Sequence, residues 1–349
     1  MGHVYVNDNT TPGNTVAGFD RNSDGTLTPM QGSPFAVGGS GTDHPDASQG
    51  SLQLSADGRY LLVTDSGSNE ISVARIRPDG SLRPVGDPAS SDGNNPVSIA
   101  VHDGLVYVAN AGAGGSNYTG FELNPGGHLT PLPGSTIPVP DGSQPGDVLF
   151  NAAGTNLVGT RVGTSQIDSF TVGSGGLLTA AAGSPFAAQG LGPFGSEFRP
   201  TKPSQLFVSN AHNGGSGLGT VSAFAVAADG ALSSIGTSPY PDHQNAPCWV
   251  EISHDGSYLF AVNTASSTIS SYSIDAAGEL TVLGSVPVAN VPSGPEDARL
   301  SPDGSTLWVV DSGSGAISGF TVNGGSLTTL PTSPTAAPAG ATPSGIVVT

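Results

Sequence analysis

The chain has 349 residues, of which 10% are charged and 36% hydrophobic, and it carries 52 glycines, 29 prolines and a net charge of −18. So acidic a chain has no basic stripe to neutralise phosphates, which excludes a nucleic-acid partner and attraction to an anionic membrane surface. Its single cysteine, Cys248, excludes an intrachain disulfide framework and a multi-cysteine metal site.

No apolar run reaches the length of a membrane span, so we expect no membrane insertion. The chain enters strand-like sequence at His3-Val4-Tyr5-Val6, without a recognisable signal peptide. A secreted protein whose signal has been removed would look the same, and the location therefore stays open between the cytoplasm and secretion. We expect the protein to be a monomer.

Apolar residues come in bursts of four to six, a pattern typical of many short strands separated by turns. The clearest unit spans residues 51–82 and reads as four strands, with tight turns at Asp57-Gly58 and Asp79-Gly80. A leucine opens the last strand of every unit, and a glycine precedes it by two residues, as a hairpin with a residue at positive φ requires. These leucines, 47 to 55 residues apart, are Leu27, Leu82, Leu129, Leu178, Leu232, Leu280 and Leu327.

A period near fifty with four strands per unit predicts an all-β, seven-bladed β-propeller with four antiparallel strands per blade. The first strand of each unit begins after Gln49, Pro96, Pro145, Pro193, Pro247, Pro295 or Pro343. The last of these is the C-terminal segment, whereas the N-terminus starts at a second strand. We therefore expect one domain, residues 1–349, in which residues 343–348 pair with residues 3–35 to complete blade 1 and close the ring.

Three copies of the repeat carry a family resemblance: LSADGRYLLVTDSGSNEIS (54–72), ISHDGSYLFAVNTASSTISSYSI (252–274) and LSPDGSTLWVVDSGSGAISGF (300–320). They resemble the seven-bladed lactonase-like family of 6-phosphogluconolactonase-type hydrolases and fungal carboxymuconate-lactonising cyclases. The resemblance implies an enzyme that hydrolyses or forms a lactone on a small anionic ligand at the channel mouth. In that family, His- and Arg-bearing motifs open some inner strands. Here the corresponding strands open with Gln49-Gly50-Ser51, Pro145-Gly146-Asp147 and Pro193-Phe194-Gly195, so the usual catalytic His and Arg motifs are not retained.

In a propeller, the top face collects the loops that lead into the inner strands and those that join second to third strands. The residue ending each second strand should therefore give a ring of candidate ligand-binding groups. The ring consists of Asn7, Asp65, Asn110, Arg161, Asn210, Asn263 and Asp311. The alternative for the Asn and Asp members is a structural one, in which each closes its own local turn.

Arg161 is the only arginine of this ring, and its guanidinium fork fits a carboxylate or phosphate through two parallel hydrogen bonds. We take it as the candidate anchor of an anionic ligand. The alternative is an ion pair with a neighbour such as Asp147.

The inner strands add Asp147, Trp249, Glu296 and Asp297 near their starts, with Glu197, Glu251 and Arg299 further along. Adjacent Glu296 and Asp297 should point to opposite faces of their strand. Glu296 and Asp147 could act together as acid and base, or ligate a hard cation with Asn oxygens. Trp249 is either a platform for a ring-shaped ligand or core, and Cys248 is read as a small buried hydrophobe.

His212 and His243 lie in predicted top-face loops and are the candidate proton-transfer groups, with Glu296 as the third catalytic candidate. Three functions remain open. The first is a lactonase-family enzyme, the second a propeller cyclase or hydrolase of specialised metabolism, and the third a non-catalytic binding or scaffolding propeller. No cofactor is required by the sequence, although a divalent cation stays open.

Overall fold

The computed structural model describes residues 2–45, 49–288 and 292–349, and every regular element in them is a β-strand. The strands form seven antiparallel sheets, each one blade. Each inner strand contacts the inner strands of both neighbouring blades, so the seven sheets form a closed ring around a central channel. The predicted seven-bladed propeller is confirmed.

Strands within a blade are ranked from the channel outwards. The inner strands of blades 1 to 7 are Gly345–Val348, Leu52–Leu54, Pro96–His102, Pro145–Phe150, Pro193–Phe198, Pro247–Ile252 and Pro295–Leu300. The second strands are Gly2–Asn7, Tyr60–Asp65, Leu105–Asn110, Asn156–Arg161, Gln205–Asn210, Tyr258–Asn263 and Thr306–Asp311. The third strands are Thr15–Arg21, Glu70–Ile76, Asn117–Leu123, Gln166–Val172, Thr220–Val226, Thr268–Ile274 and Ala316–Asn323. The fourth strands are Leu27–Pro29, Leu82–Pro84, Leu129–Pro131, Leu178–Ala180, Leu232–Ser234, Leu280–Pro287 and Ser326–Thr329.

In the described residues, six of the seven blades have one strand more than the predicted four. In these six, a two-residue fifth strand pairs with the third strand beyond the end of the fourth. The fifth strands are Phe35–Ala36, Ala89–Ser90, Ile137–Pro138, Phe186–Ala187, Tyr240–Pro241 and Thr335–Ala336. Each fourth strand there ends after three or four residues, at a turn. Blade 6 differs because Leu280–Pro287 runs on as one strand, with a register shift opposite Ser271 and Tyr272.

The ring closes where the C-terminal strand completes blade 1. Val4 pairs with Val348 and Asn7 with Gly345, and the backbone N–H of His3 donates to the Thr349 carbonyl at 3.1 Å. Around this pairing, Val4, Ile346 and Trp308 belong to one buried cluster that joins blade 1 to blade 7. The predicted closure by the termini is therefore confirmed.

The repeated turn glycine has the expected positive φ in six blades, from Gly25 (φ 83°) to Gly278 (φ 94°). In blade 7, the prediction of Gly325 is wrong and Gly324 (φ 58°) takes that conformation. The reason is the length of the strands: Asn323 pairs directly with Ser326, which leaves a two-residue turn at 324–325.

Gln49 spans the central channel from blade 2 to the opposite side of the ring. Its Nε2 donates to the carbonyls of Ser196 (3.1 Å) and Val250 (3.3 Å), and its Oε1 accepts the Val250 N–H at 3.2 Å. Its own N–H donates to the Gly146 carbonyl at 3.0 Å. Gly195 admits this side chain, since a Cβ at that position would lie 2.0 Å from Oε1. Gln49 thus links blade 2 to blades 4, 5 and 6 and blocks the channel.

We predict that Gln49→Ala lowers the free energy of unfolding by about 1–3 kcal/mol, because it leaves the buried Val250 N–H and Ser196 carbonyl without this partner. Urea unfolding of the variant and of Gln31→Ala, which removes an exposed glutamine, measures the effect. Equal stabilities of the two variants would show that the cross-channel bonds contribute nothing.

Candidate functional site

A left-handed residue precedes the proline that opens the inner strand in five blades. These residues are Asn95, Gln144, Gly192, Ala246 and Gly294, with φ between 48° and 63°. In blades 3 to 6, the carbonyl of this residue accepts the N–H of the first residue after the second strand, at 2.8 to 3.1 Å. Residues before proline normally avoid helical conformations, so this repeated exception has to be held by its surroundings. The bond ties the two loop classes of the top face together.

A cavity of about 200 Å³ opens on this face, beside the blocked channel, between blades 3, 4 and 5. Its walls combine apolar side chains with two carboxamides and one imidazole. They comprise Asn95, Val97, Ala111, Gln144, Pro145, Val162, Phe194 and His212. Of the sequence-predicted catalytic residues, His212 is the one that this cavity brings into its wall.

The His212 imidazole is positioned by its own loop and by the loop before blade 5. Its backbone N–H donates to the Leu191 carbonyl at 2.9 Å. The ring packs so closely on Gly192 that a Cβ there would lie 2.5 Å from Cγ. The side chain is otherwise exposed. His212 is therefore held at the rim of the cavity while its ring stays open to solvent.

The other two catalytic candidates lie elsewhere. His243 is exposed, has a φ of 61°, and does not line the cavity. Glu296 is buried close to Cys248, whose thiol pKa is raised to about 12 by burial and further by this carboxylate. Asp297 faces the other neighbour, accepting the Ile346 N–H of blade 1 at 3.4 Å. The predicted opposite orientation of Glu296 and Asp297 is confirmed.

The ring of second-strand ends lies beneath the top-face loops, and its Asn and Asp members are buried. These residues bond mainly across to the third strand of the same blade rather than to their own turn. Asp65 accepts the Ser72 hydroxyl at 2.5 Å, Asn263 donates to Ser270 at 2.9 Å, and Asp311 accepts Ser318 at 2.5 Å. Equivalent bonds join Asn110 to Asn117 and Asn210 to Ser222, and another joins Asn7 to Asn14, which directly precedes the third strand. Asn7 also closes its own turn, as expected in the structural alternative, because its Oδ1 accepts the Asn9 N–H at 3.1 Å. The ligand-binding roles of the ring stay predictions.

Arg161 follows the same pattern with a charged pair. Its Nε and Nη2 donate to the two carboxylate oxygens of Asp168 at 2.6 and 2.7 Å. The Tyr118 hydroxyl of blade 3 also donates to Asp168, at 3.1 Å. The ion pair expected as an alternative exists, but its partner is Asp168 and not Asp147. Asp168 therefore occupies the Nε–Nη2 edge of the guanidinium, and an anion that binds this edge through two hydrogen bonds would have to displace it.

Asp147 instead joins three blades. Its carboxylate accepts the Ser98 hydroxyl of blade 3 at 3.2 Å and both the N–H and hydroxyl of Ser196 in blade 5, at 2.9 and 2.6 Å. Trp249 is 2% exposed and packs against Phe194, with ring centroids 5.3 Å apart, so it belongs to the core. Through Phe194, it supports one wall of the cavity.

Glu197, Glu251 and Arg299 lie at one level of the channel, each four residues after the proline of its inner strand. Arg299 contacts Glu251 at 3.1 Å and Asp297 at 3.9 Å, and Glu251 also accepts the Leu300 N–H at 2.8 Å. Burial raises the pKa of Glu197 well above its usual range, and the neighbouring Glu251 raises it further.

Among the described residues, six buried aspartates have a raised pKa with burial as the main cause: Asp8, Asp65, Asp147, Asp242, Asp297 and Asp311. The value is about 7 for Asp8 and Asp311 and about 6 for Asp65 and Asp147, although hydroxyl donors to each carboxylate oppose the shift. These groups hold protons in the folded protein at pH values where an unfolded chain has lost them.

Sequence reasoning missed the wall residues Asn95, Gln144 and Phe194, and also the role of Gln49. The signal available was positional, because Asn95 and Gln144 directly precede the prolines that open two neighbouring inner strands. Among the described residues, no three or more His, Cys, Asp or Glu side chains are grouped to hold a metal ion. Nor does the described part of the chain contain a helix long and apolar enough to cross a membrane.

The sequence matches one protein-family model, described as the seven-bladed β-propeller lactonases, over residues 12–150 and 199–346. The unmatched stretch, 151–198, contains the Arg161–Asp168 pair and the inner strand of blade 5. Among curated proteins, none matches the sequence.

Solved structures share the fold over the whole chain. A protein of proposed 6-phosphogluconolactonase activity from Bacteroides fragilis is 20% identical with a TM-score of 0.78, covering 100% of this chain and 98% of its own. The periplasmic gluconolactonase of Pseudomonas aeruginosa is 18% identical with a TM-score of 0.77, covering 99% and 98%. A streptogramin B lyase is 18% identical with a TM-score of 0.59, covering 87% and 88%. At such identities the likeness shows the fold alone.

We predict that Arg161→Asn lowers the free energy of unfolding by about 3–5 kcal/mol, because it leaves the buried Asp168 carboxylate without its cation. The double variant Arg161→Asn/Asp168→Ser, which copies the Asn263–Ser270 pair of blade 6, should recover most of that loss. Urea unfolding of both variants measures this, and a double variant as unstable as the single one would contradict it. If the stable double variant also loses a ligand that the native protein binds, the anchoring role of Arg161 is supported.

Stability should fall as the pH rises through 6 to 7. A carboxyl group whose pKa is higher in the folded protein than in the unfolded chain, where it is near 3.8, stabilises the folded state fully below that lower pKa. This contribution to the free energy of unfolding is lost as the pH rises through the folded pKa. We expect the melting temperature to be about 3–6 °C higher at pH 5 than at pH 8. Asp311→Asn should reduce this difference, whereas Asp87→Asn, at an exposed carboxylate, should leave it unchanged. A melting temperature that increases from pH 5 to pH 8 would refute the interpretation.

Proposed function

Because this chain belongs to the seven-bladed β-propeller lactonase family, we propose that it hydrolyses a small lactone in the top-face cavity lined by His212. The observation that supports this is the place of His212: an accessible imidazole in the wall of a concave site, beside two carboxamides. Imidazole is the side chain best suited to move a proton near neutral pH. The cavity lies on the face where propellers gather their functional loops.

The wall groups supply the parts that ester hydrolysis needs. His212 would accept a proton from water as its oxygen attacks the lactone carbonyl carbon. The carboxamide N–H groups of Asn95 and Gln144 would donate to the carbonyl oxygen, on which negative charge develops. The acyl C–O bond then breaks, and the imidazolium returns the proton to the ring oxygen. The product is a hydroxy acid, with one water consumed.

The cavity wall contains neither Lys nor Arg. The anionic ligand expected from the sequence therefore has no lysine or arginine partner in this wall. We propose that an uncharged lactone ring is the group bound here. The phosphorylated lactone stays the alternative substrate, and assays should compare both.

We expect the purified protein to release acid from glucono-δ-lactone or γ-butyrolactone faster than the uncatalysed background, followed by pH-stat titration. His212→Ala should lower kcat/KM by about 10²–10⁴-fold, the usual contribution of a general base. Two exposed histidines provide matched controls: His243→Ala on the same face and His254→Ala on the opposite face. Full activity of the His212 variant would refute its role. A protein that binds these lactones without hydrolysing them would instead be a binding propeller.

A further inference from the structure

Apolar residues form the larger part of the wall of the proposed site. Five of its eight wall residues are apolar: Val97, Ala111, Pro145, Val162 and Phe194. Phe194 is fixed by its contact with buried Trp249. A wall of this kind offers few partners to the many hydroxyl groups of a sugar lactone, each of which would lose its hydrogen bonds to water on entry.

Two exposed leucines lie on the loops next to the cavity. Leu191 and Leu218 are 56% and 53% exposed, and they are two of only four large hydrophobic side chains exposed to this degree in the described residues. Single exposed leucines are ordinary, but these two lie on the two loops that carry His212 and its support.

Hydrogen bonds link the backbone of both leucines to the loop segment of His212 and Asn213. The Leu191 carbonyl accepts the His212 N–H at 2.9 Å, and the Leu191 N–H donates to Asn213 Oδ1 at 2.8 Å. Asn213 Nδ2 in turn donates to the Leu218 carbonyl at 3.0 Å. Asn213, next to His212, therefore links the two leucines. Both leucines belong to the same pair of loops as the proposed base.

The size of the cavity and the net charge of the chain also limit which substrates can bind. At about 200 Å³ the cavity is smaller than the roughly 300–1,000 Å³ that encloses a drug-sized ligand, so it can take a ring and leave a substituent outside. The chain carries a net charge of −18 and only nine Lys and Arg residues. A negatively charged substituent would meet repulsion without a compensating cation in the wall.

We infer that the substrate is an uncharged lactone bearing an alkyl or acyl chain, with its ring beside His212 and its chain across Leu191 and Leu218. This inference rests on the proposed lactonase function and specifies its substrate class. Each methylene that moves from water onto the leucines should improve kcat/KM by up to about four-fold. The gain should stop when the chain extends past the rim.

The test compares γ-lactones with unbranched chains of increasing length against glucono-δ-lactone and 6-phosphogluconolactone, all by pH-stat. We expect kcat/KM to rise with chain length and to exceed the values for both sugar lactones. Leu191→Ser/Leu218→Ser should abolish the dependence of kcat/KM on chain length. Leu177→Ser, at a leucine 43% exposed in a turn of the opposite face, is the matched control and should keep that dependence.

Two negative results have different meanings. If the sugar lactones are hydrolysed but chain length has no effect, the substrate class is wrong and the proposed function stands. If none of the lactones is hydrolysed, both proposals fail. Chain-length dependence that survives in the double leucine variant would also overturn the assigned position of the chain.

Discussion

The antiparallel pairing of Gly345–Val348 with Gly2–Asn7 is the constraint on which the rest of the molecule depends. A ring of sheets buries both faces of every blade only if no blade is left with an open edge. Here that edge is covered by residues from the other end of the chain, and His3 and Thr349 are 346 positions apart. The channel and the cavity between blades 3, 4 and 5 exist only in the closed ring.

The channel itself is held by polar groups, although most of the blade contacts are apolar. Asp147, Gln49 and Glu251 each connect inner strands of different blades through short hydrogen bonds. Burying carboxylates costs free energy, as the raised pKa of Asp147 shows. Directional bonds also fix the position of adjacent blades relative to each other along the channel axis, which apolar packing alone does not. This relative position determines whether Val97, Val162 and Phe194 lie together in the cavity wall.

The glycines of the hairpin turns allowed the fold to be predicted from the sequence. Each hairpin needs its own glycine within a few residues, so seven copies of one local signal give seven blades, and the position of the last strand gives the closure. The fifth strands were missed because two residues carry no periodicity; only the return of the chain to the third strand defines them. In blade 7 the signal was misread by one residue, because Asn323 extends the pairing.

The site could be predicted less well, because its residues lie in different blades and come together only through the circular arrangement of the blades. Arg161 and Asp168 are seven residues apart on neighbouring strands, and the hairpin register could have suggested their contact. Val97, Phe194 and His212, by contrast, come from two blades and about a hundred residues of chain, and nothing local relates them. The reach of Gln49 across the channel depends on Gly195, a residue whose importance lies in the side chain that it lacks.

Ring closure also sets how the molecule can be attached. His3 and Thr349 are hydrogen-bonded at the face opposite the cavity, where the turn of Gly80 also lies against His3. A tether joined to either end would emerge from this same face. A surface, a fused domain or an affinity tag would thus sit behind the propeller and leave the His212 cavity pointing outward, so both ends offer an orientation for immobilisation that does not obstruct the entrance.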